Sequence, residues 1–141
     1  MVKIRRAQKT DEQPVLELLK KLDLYYPGLE FKDFWVAEQG RKIIGCVQLT
    51  DYKDFLFLSL LAVIPEERRK EIGRSIMDKV LKSVNKDIYL YTIIPKFFEK
   101  HGFGPVSPSL HLSILPSKEP YECEYCQPEK CVTMIRKTNA A

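Results

Sequence analysis

At 141 residues the chain has the length of one ordinary domain and can bury a substantial core. With 45% apolar and 30% charged residues it is excluded from the class of disordered tails. The net charge of +4 is dispersed among acidic residues, which argues against a nucleic-acid-binding face and leaves a modest field suited to an anionic ligand.

The chain opens on Val2-Lys3-Ile4-Arg5-Arg6, whose alternation predicts a half-buried strand. No apolar leader precedes it, so a cytoplasmic location is the expectation. Thr10 followed by Asp11, Glu12 and Gln13 has the spacing of a capping box and predicts a helix over 11–22, with Val15, Leu18, Leu19 and Leu22 on its apolar face. Tyr25-Tyr26-Pro27-Gly28 breaks that helix. Runs over 34–38 and 42–49, joined by Gln39-Gly40-Arg41, predict a β-hairpin.

The longest apolar run, Phe55 to Pro65, is interrupted only by Ser59. It is far short of the roughly 20 residues a bilayer requires and is expected to be a central strand, with no membrane partner. A helix beginning near Arg68 should follow, with Ile72, Ile76, Val80, Leu81 and Val84 as its buried stripe. A short strand over 87–92, a short helix from Pro95 through Phe98 ended by Gly102, and strands over 110–115 and 132–136 complete the chain. Helices mixed among strands predict an α/β (α+β) sheet of six to seven strands, covered in part on both faces.

A strand passing through Pro65 into a helix presents unbonded backbone N–H groups at the helix start, where the helix dipole also favours an anion. Gly73 would let the backbone approach a ligand closely, and Arg68, Arg69 and Lys70 add positive charge nearby. Together these features describe a pyrophosphate cradle; the plainer alternative is a solvated, charged helix start on a structural crossover.

The stretch Val63-Ile64-Pro65-Glu66-Glu67-Arg68-Arg69-Lys70-Glu71-Ile72-Gly73 resembles the coenzyme A motif of GNAT-type N-acetyltransferases. That motif reads Val-x-Pro, two residues, Arg or Gln, two residues, Gly, one residue, and Gly or Ala. Val63, Pro65, Arg68 and Gly73 match it. Phe98-Glu99-Lys100-His101-Gly102-Phe103 resembles a second segment of that family, in the family's order and at its usual spacing. The resemblance extends over almost the whole chain and implies a single GNAT-like domain over 1–141, with a mixed, mostly antiparallel sheet. It further implies that Leu61 and Val63 offer backbone groups to the pantetheine arm of acetyl-CoA. The backbone of Arg68, Arg69, Lys70, Glu71, Ile72, Gly73 and Arg74 would hold the pyrophosphate, and the strands after Val63 and before Thr92 would splay to admit the thioester. Phe98 would pack near the thiol end.

Two positions depart from the family pattern. Glu71 stands where the motif has its first glycine, and Phe98 stands where many relatives carry a Tyr that protonates the departing thiolate. The central strand, which commonly supplies a Glu base in this family, has only Ser59 as a polar side chain. Candidate acids and bases are Glu38 at a strand end, His101, whose residue type titrates near neutrality, and Tyr91 at the end of a strand. Their plainer readings are a solvated rim carboxylate, an ordinary helix-end residue and a core aromatic. The resemblance also implies that Tyr25 and Tyr26 lie in a loop covering the acceptor side.

Cys123-x-x-Cys126-x4-Cys131 lies at the end of the segment 116–131 and has the close spacing of thiolate ligands. With His111 as a fourth ligand it would form a zinc site; one disulfide with a spare thiol, or three plain thiols, are the alternatives. Cys46, alone in a strand-like run, is expected to be an inert buried thiol. The expected activity is transfer of an acetyl group from acetyl-CoA to an amine of a small molecule or peptide. The alternative is a catalytically silent acyl-CoA-binding or interaction module. The acceptor and the oligomeric state, a homodimer included, stay open.

Overall fold

The structure, a computed structural model, describes residues 2–25, 29–65, 71–92, 94–106 and 132–138. In chain order the elements are β1 (Lys3–Arg6), α1 (Glu12–Lys21), β2 (Phe34–Gln39), β3 (Lys42–Asp51), β4 (Leu56–Val63), α2 (Ile72–Ser83), β5 (Ile88–Thr92), α3 (Pro95–Glu99), β6 (Gly104–Pro105) and β7 (Val132–Arg136). Their sheet order is β1-β2-β3-β4-β5-β7-β6. β1 with β2, β2 with β3, β5 with β7 and β6 with β7 pair antiparallel, while β4 and β5 pair in parallel. The parallel pair follows from the connection, because a helical crossover returns the chain in the same direction. A mixed, mostly antiparallel sheet is thus what the sequence predicted.

The chain divides into two compact units. The first holds residues 1–50 and 59–84, and the second 51–58 and 85–141, so β4 contributes to both.

In the first unit β2 is buried over four successive residues, Phe34, Trp35, Val36 and Ala37, a pattern that requires cover on both faces. Val15, Leu18 and Leu19 of α1 are buried as their spacing predicted. The hairpin joining β2 and β3 turns through Gly40 (φ 54) and Arg41 (φ 69), the pair of left-handed residues that suits the twist of antiparallel strands. Gly45 answers a different demand. A Cβ there would lie 2.9 Å from the Ala62 carbonyl oxygen and 3.1 Å from Cδ1 of Ile76, so only glycine lets β3 pass this close to β4 and α2. On α2 the buried residues are Ile72, Ile76, Met77 and Val80. The predicted Leu81 and Val84 are only half-buried, and Met77 was overlooked.

The start of α1 also differs from its prediction. Thr10 does not cap it; a 3-10 turn over Lys9–Asp11 comes first and Asp11 is the N-cap. Arg5 of β1 takes the Asp11 carboxylate at 2.6 and 3.0 Å, and the Gln8 amide donates to it at 2.7 Å. These partners fix the turn one residue later than the Thr-x-x-Gln spacing implied. At the other end Asp23 is left-handed (φ 61) and the Leu24 amide donates to the Leu19 carbonyl at 2.8 Å, a Schellman-type stop.

The second unit has an aromatic core. Phe55, Phe57 and Tyr89 are buried together, with Tyr91, Val106 and Ile135 packed against them. Phe55 meets Tyr89 edge-on at 5.3 Å, and Phe57 meets Tyr91 at 5.0 Å. Pro95 opens α3 as expected, and Gly102 (φ 89) lies past its end. β6, only two residues long, was not legible in the sequence; it pairs Gly104 with Ile135 and Pro105 with Met134. The predicted strand over 110–115 lies outside the described residues.

Candidate functional site

The first unit contains the strand and helix of the expected phosphate turn. β4 ends at Val63, and the Ile64 amide donates to the Ile44 carbonyl at 2.9 Å, which ties the turn to β3. Leu61 and Val63 are half-buried at the end of the strand. Arg68, Arg69 and Lys70 lie outside the described residues. The helix itself begins at Ile72 and not near Arg68. Its N-cap, Glu71, has φ 58 and ψ 34, a left-handed conformation that no residue inside a right-handed helix can hold.

That conformation explains the sequence pattern at this position. An L side chain in the left-handed region costs about 1–2 kcal/mol, which glycine avoids. A motif with glycine here is therefore a motif for this backbone, and Glu71 adopts the same backbone under strain. Its side chain does not cap the helix. The Ser75 amide donates to the Glu71 carbonyl at 3.0 Å, closing the first helical turn. The amides of Ile72, Gly73 and Arg74 belong to that first turn and have no partner within the helix. The Glu71 carboxylate turns onto Arg74, 3.6 Å from Nη1, while Nε of Arg74 is 3.9 Å from Asp78. Both members of the Glu71–Arg74 pair are solvated, at 69% and 64% side-chain exposure. The turn can thus present backbone donors, the positive end of a three-turn helix and a guanidinium to one anion.

Glu38 belongs to the same unit. Its carboxylate is 3.5 Å from Nε of Arg5, the residue that also holds Asp11. Arg5 holds the Asp11 carboxyl well below its ordinary range, and burial opposes this only in part. Asp33, just ahead of β2, was not singled out from the sequence. It accepts a hydrogen bond from Thr50 at 3.3 Å, and burial pushes its carboxyl upward. Only tertiary packing could have revealed it, since no local pattern marks an aspartate for burial. Burial also pushes the Cys46 thiol up to about 12, so it remains a protonated core group as expected.

The second unit holds Tyr91, Phe98 and His101. Tyr91 is half-buried on β5, opposite Thr133 and edge-on to Phe57. Thr92 is buried, and its hydroxyl accepts the Ile94 amide at 2.9 Å, which shapes the exit of β5 into α3. Phe98 is buried, with its ring against Phe97 at 5.0 Å and Phe103 at 5.7 Å. The Phe98 carbonyl accepts the amides of His101 at 2.9 Å and Phe103 at 3.2 Å, and the His101 ring lies 5.1 Å from that of Phe97. Cys123, Cys126, Cys131 and His111 lie outside the described residues. Among the described residues no cluster of His, Cys, Asp and Glu could hold a metal ion. None of the described helices is long and apolar enough to cross a membrane.

Residues 30–105, more than half of the chain, match the family model described as an acetyltransferase (GNAT) domain. The chain belongs to the GNAT acetyltransferase family. An uncharacterized N-acetyltransferase, CT2212, of Chlorobaculum tepidum is 27% identical to this GNAT chain over 100 residues, covering 67% of it and 62% of the relative. Among solved structures, N-acetylglutamate synthase from Neisseria gonorrhoeae, complexed with coenzyme A and N-acetyl-glutamate, superposes with a TM-score of 0.74 at 17% identity. That match covers 99% of this chain but only 35% of the synthase chain. Arabidopsis thaliana Naa50, in complex with the bisubstrate analogue CoA-Ac-MVNAL, gives a TM-score of 0.69 at 16% identity, covering 96% of this chain and 98% of that one. At these identities the structures establish the GNAT fold. This chain spans 62% of the length of the Chlorobaculum relative and about a third of the synthase.

Proposed function

We propose that the protein is an N-acetyltransferase that moves an acetyl group from acetyl-CoA to an amine of a small molecule or peptide. The observation that carries this reading is the left-handed residue at the head of α2, in the strand-turn-helix of a GNAT chain. It stands where the family motif places its glycine, directly ahead of the first-turn amides that have no partner within the helix. The synthase and Naa50 structures contain coenzyme A with N-acetyl-glutamate and the bisubstrate analogue CoA-Ac-MVNAL, which supports an amine acceptor.

In this reading the amides of Glu71, Ile72, Gly73 and Arg74 bind the pyrophosphate, Arg68, Arg69 and Lys70 supply positive charge, and Leu61 and Val63 pair with the pantetheine arm. The acceptor nitrogen must first lose a proton to become a nucleophile. It then attacks the thioester carbonyl, a C–N bond forms, the C–S bond breaks and the thiolate takes a proton. Tyr91 and His101 are the proposed proton carriers, because each is a titratable side chain close to the second family segment or the strand before it. Glu38 is a weaker candidate, since Arg5 already holds its carboxylate. Holding amine and thioester in attack geometry supplies several kcal/mol on its own, about 7 or more in the best intramolecular cases. The chain is read as one catalytic domain working in the cytoplasm, where acetyl-CoA is available. The cysteine segment is proposed as a zinc site, a disulfide or plain thiols, which elemental analysis and thiol titration would tell apart.

A second reading is favoured by one observation: Phe98, at the position of the expected acid, is a buried ring without a hydroxyl. A silent acyl-CoA-binding module would have that feature. Calorimetry with acetyl-CoA, paired with a CoA-release assay on a broad amine panel, separates the two. Binding with turnover supports the enzyme, binding without turnover on any amine supports the silent module, and absence of binding removes both.

A further inference from the structure

We propose that Glu71 and Arg74 form a counter-ion latch at the head of α2 that holds down the affinity of the site for coenzyme A. The proposal rests on the acyl-CoA reading above and concerns how that site is regulated. Glu71 is held in a backbone conformation that glycine would adopt without strain, and its carboxylate leaves the helix end uncapped. It lies instead 3.6 Å from Arg74, which Asp78 flanks from the following turn at 3.9 Å. The only described guanidinium in the first turn of α2 is therefore flanked by two carboxylates, Glu71 just ahead of the helix and Asp78 one turn on.

A phosphate arriving at the first-turn amides meets this arrangement in two ways. The Glu71 carboxylate repels it, and Glu71 competes with the phosphate oxygens for the Arg74 guanidinium. Both groups are well solvated, so the exchange is small in energy and fast, as suits a ligand that must leave after each turnover. A glycine at position 71 would offer the same amides with neither effect. The Glu71 side chain, which adds backbone strain and caps nothing, thereby acquires a role: it sets how tightly the product CoA is kept.

The test is calorimetry with CoA on the full chain and on Glu71→Gln, Arg74→Gln and the double variant. Glu71→Gln should bind CoA roughly threefold more tightly, within the range of an exposed charge pair, and the gain should shrink as salt is raised. In the Arg74→Gln background the same substitution should gain less, because no guanidinium is released. Glu71→Asn, which tolerates the left-handed backbone, repeats the measurement should the Gln variant fold poorly. As a readout independent of ligand, the Arg74 Nη–H resonances should shift in Glu71→Gln. Unchanged CoA affinity in Glu71→Gln, or an equal gain with and without Arg74, overturns the latch while leaving the cofactor site standing. Failure of the wild-type chain and every variant to bind CoA overturns the cofactor site, and the latch with it.

Discussion

The two long helices both begin on an acidic residue, yet the two starts differ in backbone, burial and partners. Asp11 ahead of α1 is right-handed and buried, with its carboxylate gripped by Arg5 and the Gln8 amide. Glu71 ahead of α2 is left-handed and solvated, with its carboxylate on a neighbouring arginine. An acid near a helix N-terminus is favourable to the dipole in either place. The difference lies in what else the carboxylate does. At α1 it ties β1, the 3-10 turn and the helix into one structural joint. At α2 it joins only a neighbouring exposed arginine, and neither carboxylate caps the first turn of its helix.

The largest expected effect tests the α1 joint. Asp11→Asn leaves Arg5 with only Glu38 and should cost about 2–3 kcal/mol in denaturant melts at neutral pH, the scale of charge-assisted hydrogen bonds in a part-buried pair. The pH dependence has a defined sign. The folded-state pKa of Asp11 is depressed, so its contribution is complete above the unfolded-state value and fades as pH falls through the folded-state value. Wild type and Asp11→Asn should therefore converge in stability under acid, and a difference that persists undiminished would show that the pair is not its source.

Gly45→Ala comes next and asks whether α2 is positioned from beneath. Its new methyl must displace the Ala62 carbonyl or the tip of Ile76, and a loss of about 2 kcal/mol is expected, as for other overpacked cores. Because α2 carries the proposed cradle, CoA affinity measured on this variant should fall as well. Glu71→Gly should act in the opposite direction. Relief of left-handed strain, reduced by glycine's larger unfolded-state entropy, leaves a gain of about 0.5 kcal/mol in thermal or chemical melts. A loss of stability there would break the contrast between the two helix starts. The smallest effect is assigned to Glu38→Gln. Asp11 remains to Arg5, so the cost should be about 0.5 kcal/mol or less, with CoA release from a reactive amine unchanged. A large fall in turnover would instead return Glu38 to the chemistry.

Much of this protein was legible in short windows of sequence. Alternation marked β1, the 3.6-residue period marked α1 and α2, Gly40-Arg41 marked the hairpin, and Pro95 with Gly102 bracketed α3. The passage from β4 to α2 was legible too, because an apolar run ending at Val63-Ile64-Pro65 and a 3.6-residue period beyond it mark a strand giving way to a helix. These features depend on neighbours a few residues away, and local chemistry suffices to write them.

The rest was decided by partners distant in the chain. Asp11 sits at the N-cap position of α1 with its carboxylate held by Arg5 from β1, and the half-buried Asp33 carboxylate meets Thr50 from β3. Gly45 is obligatory because Ala62 and Ile76 arrive from two other elements, and β6 exists only because β7 offers it an edge. From sequence alone Glu71 was a missing glycine; the fold shows that its backbone takes the glycine conformation regardless. The sequence wrote the periodicities and the turns. Packing chose the caps, the close approaches and the strained residue, because each of these is an energy shared between segments that no local window contains.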